Sequence, residues 1–481
     1  MTFVSFNFYI FLAIVILIYY ILPLRVRWLA LLAGSLLFYA YISEYSITKI
    51  SALVVAAFLC WIFGVFQYRF PKMKKVWLTL SIAAVGLPLF VIKEIPFLTY
   101  LTGWKKPDWL IVPIGIAFYS MQLISYSVDV YYGKTNGQSN FLKFLLFASF
   151  FPQIIQGPIP RYNQLQTQLI EGHRFDERGF VKGFMLILWG FFLKLCIADK
   201  AAVIVNAVFD NYPTYKGMFV LVAGVLYSFE LYTDFLACTT FAQGMSGMLG
   251  IEIIDNFNHP YFAESVKDFW RRWHISLSSW LRDYIYIPLG GNRKGKIRKY
   301  LNLMITFAIS GIWHGAGYKF LFWGLLHSTY QIFGEILIPI KKRVERFLFL
   351  NEHSKVNRII KIIITFNLVM VAWIIFRAES LKTAFSMIKS IFTVRNVWIL
   401  TDDSIFELGL EWKECIVLLI CLFILLAVSY FQEKGVQIGD RVLGLTLPFR
   451  WTVYIGTIIF ILIFGTYGYG FDAQSFIYGG F

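Results

Sequence analysis

Residues 301–340 read LNLMITFAISGIWHGAGYKFLFWGLLHSTYQIFGEILIPI, two apolar runs (301–313 and 320–340) interrupted by His314 and the turn Gly315-Ala316-Gly317. The first run reaches only about 20 Å at a rise of 1.5 Å per residue, short of ~30 Å of hydrocarbon, whereas the second is long enough to cross. Irregular backbone at membrane depth is tolerated only where it is buried in protein or lines a wet cavity. An ionisable His314 at such a break is therefore a candidate site residue. The plainer alternative is an imidazole hydrogen-bonded between helices.

The same apolar texture extends outward in both directions. Further blocks lie at 3–23, 28–42, 50–65, 76–92, 109–128, 144–155, 180–197, 218–236, 359–376, 415–430 and 451–464. Of the 481 residues 58% are hydrophobic, 19% aromatic and only 15% charged, more apolar surface than a soluble core can hide. The expected fold is an all-α polytopic membrane protein with roughly 11–13 transmembrane or re-entrant helices. The first block lacks a basic leader and residues 19–27 lack a small-residue cleavage site, so it reads as a retained helix. The net charge of +16 follows from Lys and Arg flanking spans rather than from a nucleic-acid surface. Five cysteines without a CxxC pair, mostly in apolar runs, read as buried thiols and not as a metal site.

Basic loops recur at Arg25 and Arg27, at Arg69, Lys72, Lys74 and Lys75, at 294–299, at 341–346 with 355–361, and at Lys434, Arg441 and Arg450. Acidic residues such as Asp402, Asp403, Glu407 and Glu411 occupy intervening loops. The positive-inside rule then puts both termini on the extracytoplasmic side. Neither an internal repeat nor a linker is visible, so residues 1–481 are expected to form one membrane-embedded domain with 110–330 as its core.

Upstream of the opening stretch, residues 265–293 read SVKDFWRRWHISLSSWLRDYIYIPLGGNR. On one continuous helix, Phe269, Trp270, Trp273, Leu277, Trp280, Leu281 and Tyr284 share a face, and Asp268, Arg271, Arg272, Ser279, Arg282 and Asp283 the other. That many charges exclude a lipid-exposed span and fit an interfacial amphipathic helix, with His274 at the edge of its aromatic face. Among the other histidines, His173 and His353 read as solvated loop residues, His259 as part of the turn Asn256-Phe-Asn-His-Pro260, and His327 as packed inside a span. HExxH, Walker and GxSxG patterns are absent, which leaves metalloprotease, ATPase and α/β-hydrolase readings unsupported.

WRRWHISLSSWLRDYIYIPLGGNR followed by GIWHGAGYKFLFWGLLH resembles the bacterial branch of the membrane-bound O-acyltransferase family, of the alginate O-acetylase and peptidoglycan O-acetyltransferase type. Supporting pieces are Pro113-Ile-Gly-Ile-Ala-Phe-Tyr119, Ser125-Tyr-Ser-Val-Asp-Val-Tyr131, Phe151-Pro-Gln-Ile-Ile-Gln-Gly-Pro158 with Arg161-Tyr162, Phe376-Arg-Ala-Glu-Ser380 and the terminal Phe476-Ile-Tyr-Gly-Gly-Phe481. Tyr232-Thr-Asp-Phe-Leu-Ala-Cys-Thr-Thr240 and the Gly479-Gly480 ending depart from the family's usual pattern.

The resemblance implies helices around a central tunnel, with an acyl group moving from a cytoplasmic thioester to a hydroxyl beyond the membrane. It makes His314 the active-site histidine and His274 its second polar position. An imidazole suits the task, being partly neutral at pH 7 and able to take the hydroxyl proton and hand it to the leaving thiolate. The oxyanion would be met by backbone N–H groups of the Gly315–Gly317 turn or by His274. Trp313, Arg271, Arg282 and Asn292, in or beside the same motifs, are the candidate substrate-binding residues. The resemblance further implies no bound cofactor, and acetyl-CoA or an acyl-carrier-protein thioester as donor. Lys294, Lys296, Arg298 and Lys299 either attract the donor's phosphates or are plain flanking cations. Tyr478 occupies the place of a C-terminal acyl relay, its plain alternative being an interfacial anchor. An extracytoplasmic acetyltransferase- or esterase-like partner would complete transfer to a polysaccharide. Rival expectations are a D-alanyl transferase for teichoic acids, a transporter or flippase, and a non-catalytic scaffold of a polysaccharide secretion complex.

Overall fold

The computed structural model describes residues 3–103, 111–347, 351 and 354–467, and among these the chain forms helices joined by short loops, with no strand. In chain order the helices are α1 (Phe6–Ile21), α2 (Arg27–Ile42), α3 (Ile47–Arg69), α4 (Lys74–Thr102), α5 (Ile116–Tyr131), α6 (Phe141–Ser149) and α7 (Tyr162–Glu171). A long helical stretch follows, α8 (Glu177–Phe191) passing through a π-helical segment, Phe192–Ala198, into α9 (Asp199–Asp210), and then α10 (Met218–Met248). The sequence motifs lie on α11 (Val266–Arg272), α12 (Ile275–Leu281), α13 (Gly295–His314) and α14 (Tyr318–Ile336). The remainder is α15 (Ile338–Phe347), α16 (Lys355–Arg377), α17 (Leu381–Thr393), α18 (Trp412–Glu433), α19 (Ile438–Leu443) and α20 (Leu447–Phe464).

Eight helical stretches among the described residues are long and apolar enough to cross a bilayer. They contain α2, α3, α4, the α8–α9 stretch, α10, α16, α18 and α20. Five expected blocks, 3–23, 109–128, 144–155, 301–313 and 320–340, are not among these eight, although the last forms the 19-residue α14, and two of the five change character. The run 301–313 is the apolar end of the 20-residue α13, which begins in the basic loop and is about 30 Å long. The block 144–155 gives only the nine-residue α6, capped by Asn140, whose side chain accepts from the Lys143 N–H at 3.2 Å. Phe144, Leu146 and Phe147 are completely buried there, so the apolarity serves packing and not a full crossing.

Two compact units emerge, Met1–Gly190 with Cys238–Asp255, and Phe191–Ala237 with the described chain from Asn256 onward. In the first, Arg27 is buried rather than a free flanking cation, donating to the carbonyls of Leu22 (2.8 Å), Tyr20 (3.0 Å) and His173. His173 is likewise not the solvated residue expected. Its backbone N–H donates to the Tyr19 hydroxyl at 3.0 Å, and its Nε2 lies 2.8 Å from the Gln168 carbonyl.

The second unit buries a charged cluster inside its apolar helices. Lys194 Nζ lies 2.7 Å from Asp234 Oδ1 and 2.8 Å from Asp199 Oδ1, and all three side chains are 2% exposed. Positions five apart in an α-helix point about 140° apart, and the wider π turn brings Lys194 and Asp199 toward one side. Glu230, one turn before Asp234 on α10, is buried as well. The Leu195 carbonyl in the same π segment accepts from the Thr466 N–H at 3.0 Å, just past the end of α20.

Candidate functional site

The segment 265–293 is not the single amphipathic helix expected. Ser265 caps α11, accepting from the Asp268 N–H at 3.1 Å, but the helix stops at Arg272 and α12 restarts at Ile275. His274 sits in the break at φ 45° and ψ 55°, a left-handed conformation that a helix interior never takes. The loop 256–258 satisfies the freed backbone. Asn258 N–H donates to the Arg272 carbonyl and Ile275 N–H to the Asn256 carbonyl, both at 2.9 Å. After α12 the chain continues through a second π-helical turn, Arg282–Tyr286.

The facial pattern survives the break. Phe269, Trp270, Trp273, Leu277, Trp280 and Leu281 are all buried, while Arg271 and Arg282 are exposed. Arg272 differs from its neighbour and turns inward, donating to both carboxylate oxygens of Glu433 at 2.7 and 3.2 Å and to Asp268 at 3.1 Å. Glu433 also accepts from Arg358 at 3.1 Å, so one carboxylate ties α11, α16 and α18 together. Trp270 Nε1 donates to His327 Nδ1 at 3.2 Å, pinning α11 to α14 and making His327 a packing residue.

His314 ends α13 and is 2% exposed. Its ring meets Trp323 edge-on at 5.0 Å, Phe376 at 5.6 Å and Trp313 at 4.7 Å between centroids. On its other side Trp313 approaches the His274 ring, at 6.2 Å, so the two histidines share one indole neighbour. The α13–α14 hairpin holds this arrangement through glycines. A Cβ on Gly311 would collide with the Phe320 carbonyl, one on Gly324 with the Phe307 carbonyl, and one on Gly315 with the Phe320 ring. Lys319, just past the turn, donates from Nζ to the Ala378 carbonyl at 2.8 Å.

Asn302, Thr306, Ser310 and His314 recur every four residues along α13 and are all buried, at 0, 6, 0 and 2% exposure. Positions four apart stack on one helix face, so they form a polar stripe about 18 Å long. At its far end Asn302 Nδ2 donates to the Gly291 carbonyl at 2.9 Å. Asn302 Oδ1 and Ser310 Oγ make no hydrogen bond among the described residues. Asn292 is exposed beside Gly291, as are Lys294, Lys296 and Arg298.

Of the expected site residues, His274, Trp313 and His314 come together, whereas Arg271, Arg282 and Asn292 stand at the exposed surface of the same unit. Tyr478 and His353 lie outside the described residues. Residue patterns had not pointed to Asn256, the α13 stripe or the Lys194 cluster. The available signal for the last was ionisable residues inside the apolar runs 180–197 and 218–236.

The family model for the membrane-bound O-acyltransferases matches residues 134–382, just over half of the chain and both histidine motifs. The chain belongs to the membrane-bound O-acyltransferase family. As an O-acyltransferase of this multi-pass membrane family, it is similar to a probable alginate O-acetylase of Azotobacter vinelandii, 35% identical over 82% of this chain and 78% of the relative. A peptidoglycan O-acetyltransferase of Helicobacter pylori is 32% identical over 77% of this chain and 74% of its own length. A teichoic acid D-alanyltransferase of Bacillus subtilis is 29% identical over 62% of this O-acyltransferase and 77% of the relative.

Proposed function

We propose that this O-acyltransferase moves an acetyl group from a cytoplasmic thioester, acetyl-CoA or a carrier-protein thioester, toward an extracytoplasmic polysaccharide. In this reading it lies in the plasma membrane with both termini outside. The observation that carries it is His314 at the end of a buried polar stripe whose other end meets the loop of exposed Lys294, Lys296 and Arg298. Those cations attract the donor's phosphates, exposed Arg271, Arg282 and Asn292 meet its headgroup, and the pantetheine arm follows the stripe inward beneath Trp313.

At the end of the stripe the attacking hydroxyl gives its proton to His314 as its oxygen bonds to the thioester carbonyl carbon. The carbon–sulfur bond then breaks and the proton passes to the thiolate, leaving the imidazole as it began. The Gly315 N–H donates to the Gly311 carbonyl at 3.3 Å, so in this reading the backbone N–H groups of Ala316 and Gly317 meet the oxyanion. Tyr478 is the proposed first acceptor, its phenyl ester remaining reactive enough to pass the acetyl group to an extracytoplasmic acetyltransferase- or esterase-like partner. Acetyl is favoured over D-alanyl because acetylase and acetyltransferase relatives match at 32–38% identity, and teichoic acid D-alanyltransferases at 26 and 29%.

The test is the purified protein in detergent with radiolabelled acetyl-CoA, beside His314→Ala and Tyr478→Phe. His314→Ala should lower acetyl-CoA turnover about 10²–10⁴-fold, and label should map to Tyr478. Unchanged turnover in His314→Ala removes the base, and label that persists in Tyr478→Phe removes the relay.

A further inference from the structure

The protonation of the His274 ring is fixed by one neighbour. Asn256 Oδ1 lies 3.1 Å from the Ser276 backbone nitrogen, 2.8 Å from Ser276 Oγ and 3.2 Å from His274 Nδ1. A backbone N–H can only donate, so the Asn256 atom facing it is the carbonyl oxygen and not the amide nitrogen. That oxygen can only accept, so His274 Nδ1 must carry a proton. Burial at 1% exposure favours the neutral ring, which leaves Nε2 as a bare lone pair.

Nε2 is buried and makes no hydrogen bond among the described residues. Phe235 holds the ring edge-to-face at 4.7 Å and 89°, and the left-handed backbone of His274 is clasped by 256–258. Such a fully constrained imidazole presents an acceptor and nothing else. It does not serve as an oxyanion donor.

We infer that Asn256 is a positioning residue that locks His274 as the Nδ1–H tautomer, and that His274 Nε2 binds the donor by accepting a hydrogen bond from an amide N–H of its pantetheine arm. The assignment rests on the reading of His314 as the base. With the hydroxyl proton going to His314, the protic group of the donor nearest the thioester is the amide N–H at the cysteamine end of the arm. Binding of this kind acts equally on ground and transition states, so its loss raises KM and leaves kcat in place.

His274→Asn separates the two ring nitrogens, because the shorter amide reaches Asn256 but deletes Nε2. It should keep the thermal midpoint and raise the KM for acetyl-CoA about 5- to 150-fold, the range for one buried group left unpaired, with kcat nearly unchanged. Asn256→Leu should raise KM similarly, and Asn256→Asp, whose carboxylate still accepts from Ser276 and His274, should restore it. In 15N-histidine-labelled full-length protein, one neutral ring should show the Nδ1–H signature and vanish in His274→Asn. An Nε2–H signature for that ring overturns the inference without reference to activity. So does a wild-type KM in His274→Asn, or a kcat loss at constant KM. Unchanged kcat in His314→Gln would instead remove the base while leaving the tautomer result standing.

Discussion

Gly324 on α14 sits directly against Gly311 on α13, so close that a Cβ on Gly324 would lie 3.3 Å from the Gly311 Cα and inside the Phe307 carbonyl. Small residues at such a crossing let two helix backbones touch. Since His314 is the last residue of α13, this crossing also sets where the imidazole stands. Gly324→Val should therefore cost about 1–3 kcal/mol through overpacking, seen as a lower thermal midpoint, together with lost thioester turnover. Gly334→Ala, on the same helix with nothing within 4 Å, should keep turnover unchanged and hold or slightly raise the midpoint.

Ser310 supports a prediction with opposite signs for stability and binding. Its hydroxyl is fully buried without a hydrogen bond among the described residues, so Ser310→Ala should leave the free protein as stable or slightly more stable. If the donor arm uses the stripe, the same change should raise the donor KM about 2- to 12-fold, one hydrogen bond's worth. A parallel thermal melt and KM measurement checks both, and an unchanged KM would take the arm off this face.

Glu433 joins Arg272 and Arg358, and part of that network is open to solvent, with the Arg358 side chain 40% exposed. Discounting for screening, Glu433→Gln should lower stability by about 1–2 kcal/mol. The gap from wild type should narrow in high salt. Arg271→Ala, removing the exposed neighbour, should leave the thermal midpoint in place. Equal effects of the two substitutions would show that the inward turn of Arg272 contributes nothing.

Lys194→Met should be the most damaging of these changes, because it strands Asp199 and Asp234 without their shared cation. Breaking a buried pair costs about 3–5 kcal/mol, whereas replacing all its charges is often neutral. The triple change Lys194→Met, Asp199→Asn, Asp234→Asn should accordingly recover most of the lost thermal stability and monodisperse yield. Failure of the triple to recover would mean that the charges themselves are required.

What could be read in the chain follows the range of the interactions. Eight of the apolar blocks, the break at His314 and the aromatic face of 265–293 are local patterns that reappear in the structure. The break at His274 left no such mark. Trp273-His-Ile275 contains neither Gly nor Pro, and the left-handed turn depends on Asn256, 18 residues upstream. The Gly311–Gly324 contact and the Lys194–Asp234 pair are equally tertiary, so composition alone had no means of pairing them. Arg271 and Arg272 look interchangeable in sequence, and only Glu433 on a distant helix separates their roles.

The buried Lys194 cluster also sets a schedule for biogenesis. Asp199 follows Lys194 by five residues and reaches the membrane on the same helical stretch, already able to neutralise it. Asp234 follows by 40 residues, about 2–8 s later at ribosomal speed. During that interval the nascent α8–α9 stretch carries its ion pair with one partner still to come. The insertion machinery must then either retain the stretch or release it with a carboxylate position unfilled. In the first case the arrival of α10, carrying Asp234, is the step that commits the helices to lipid.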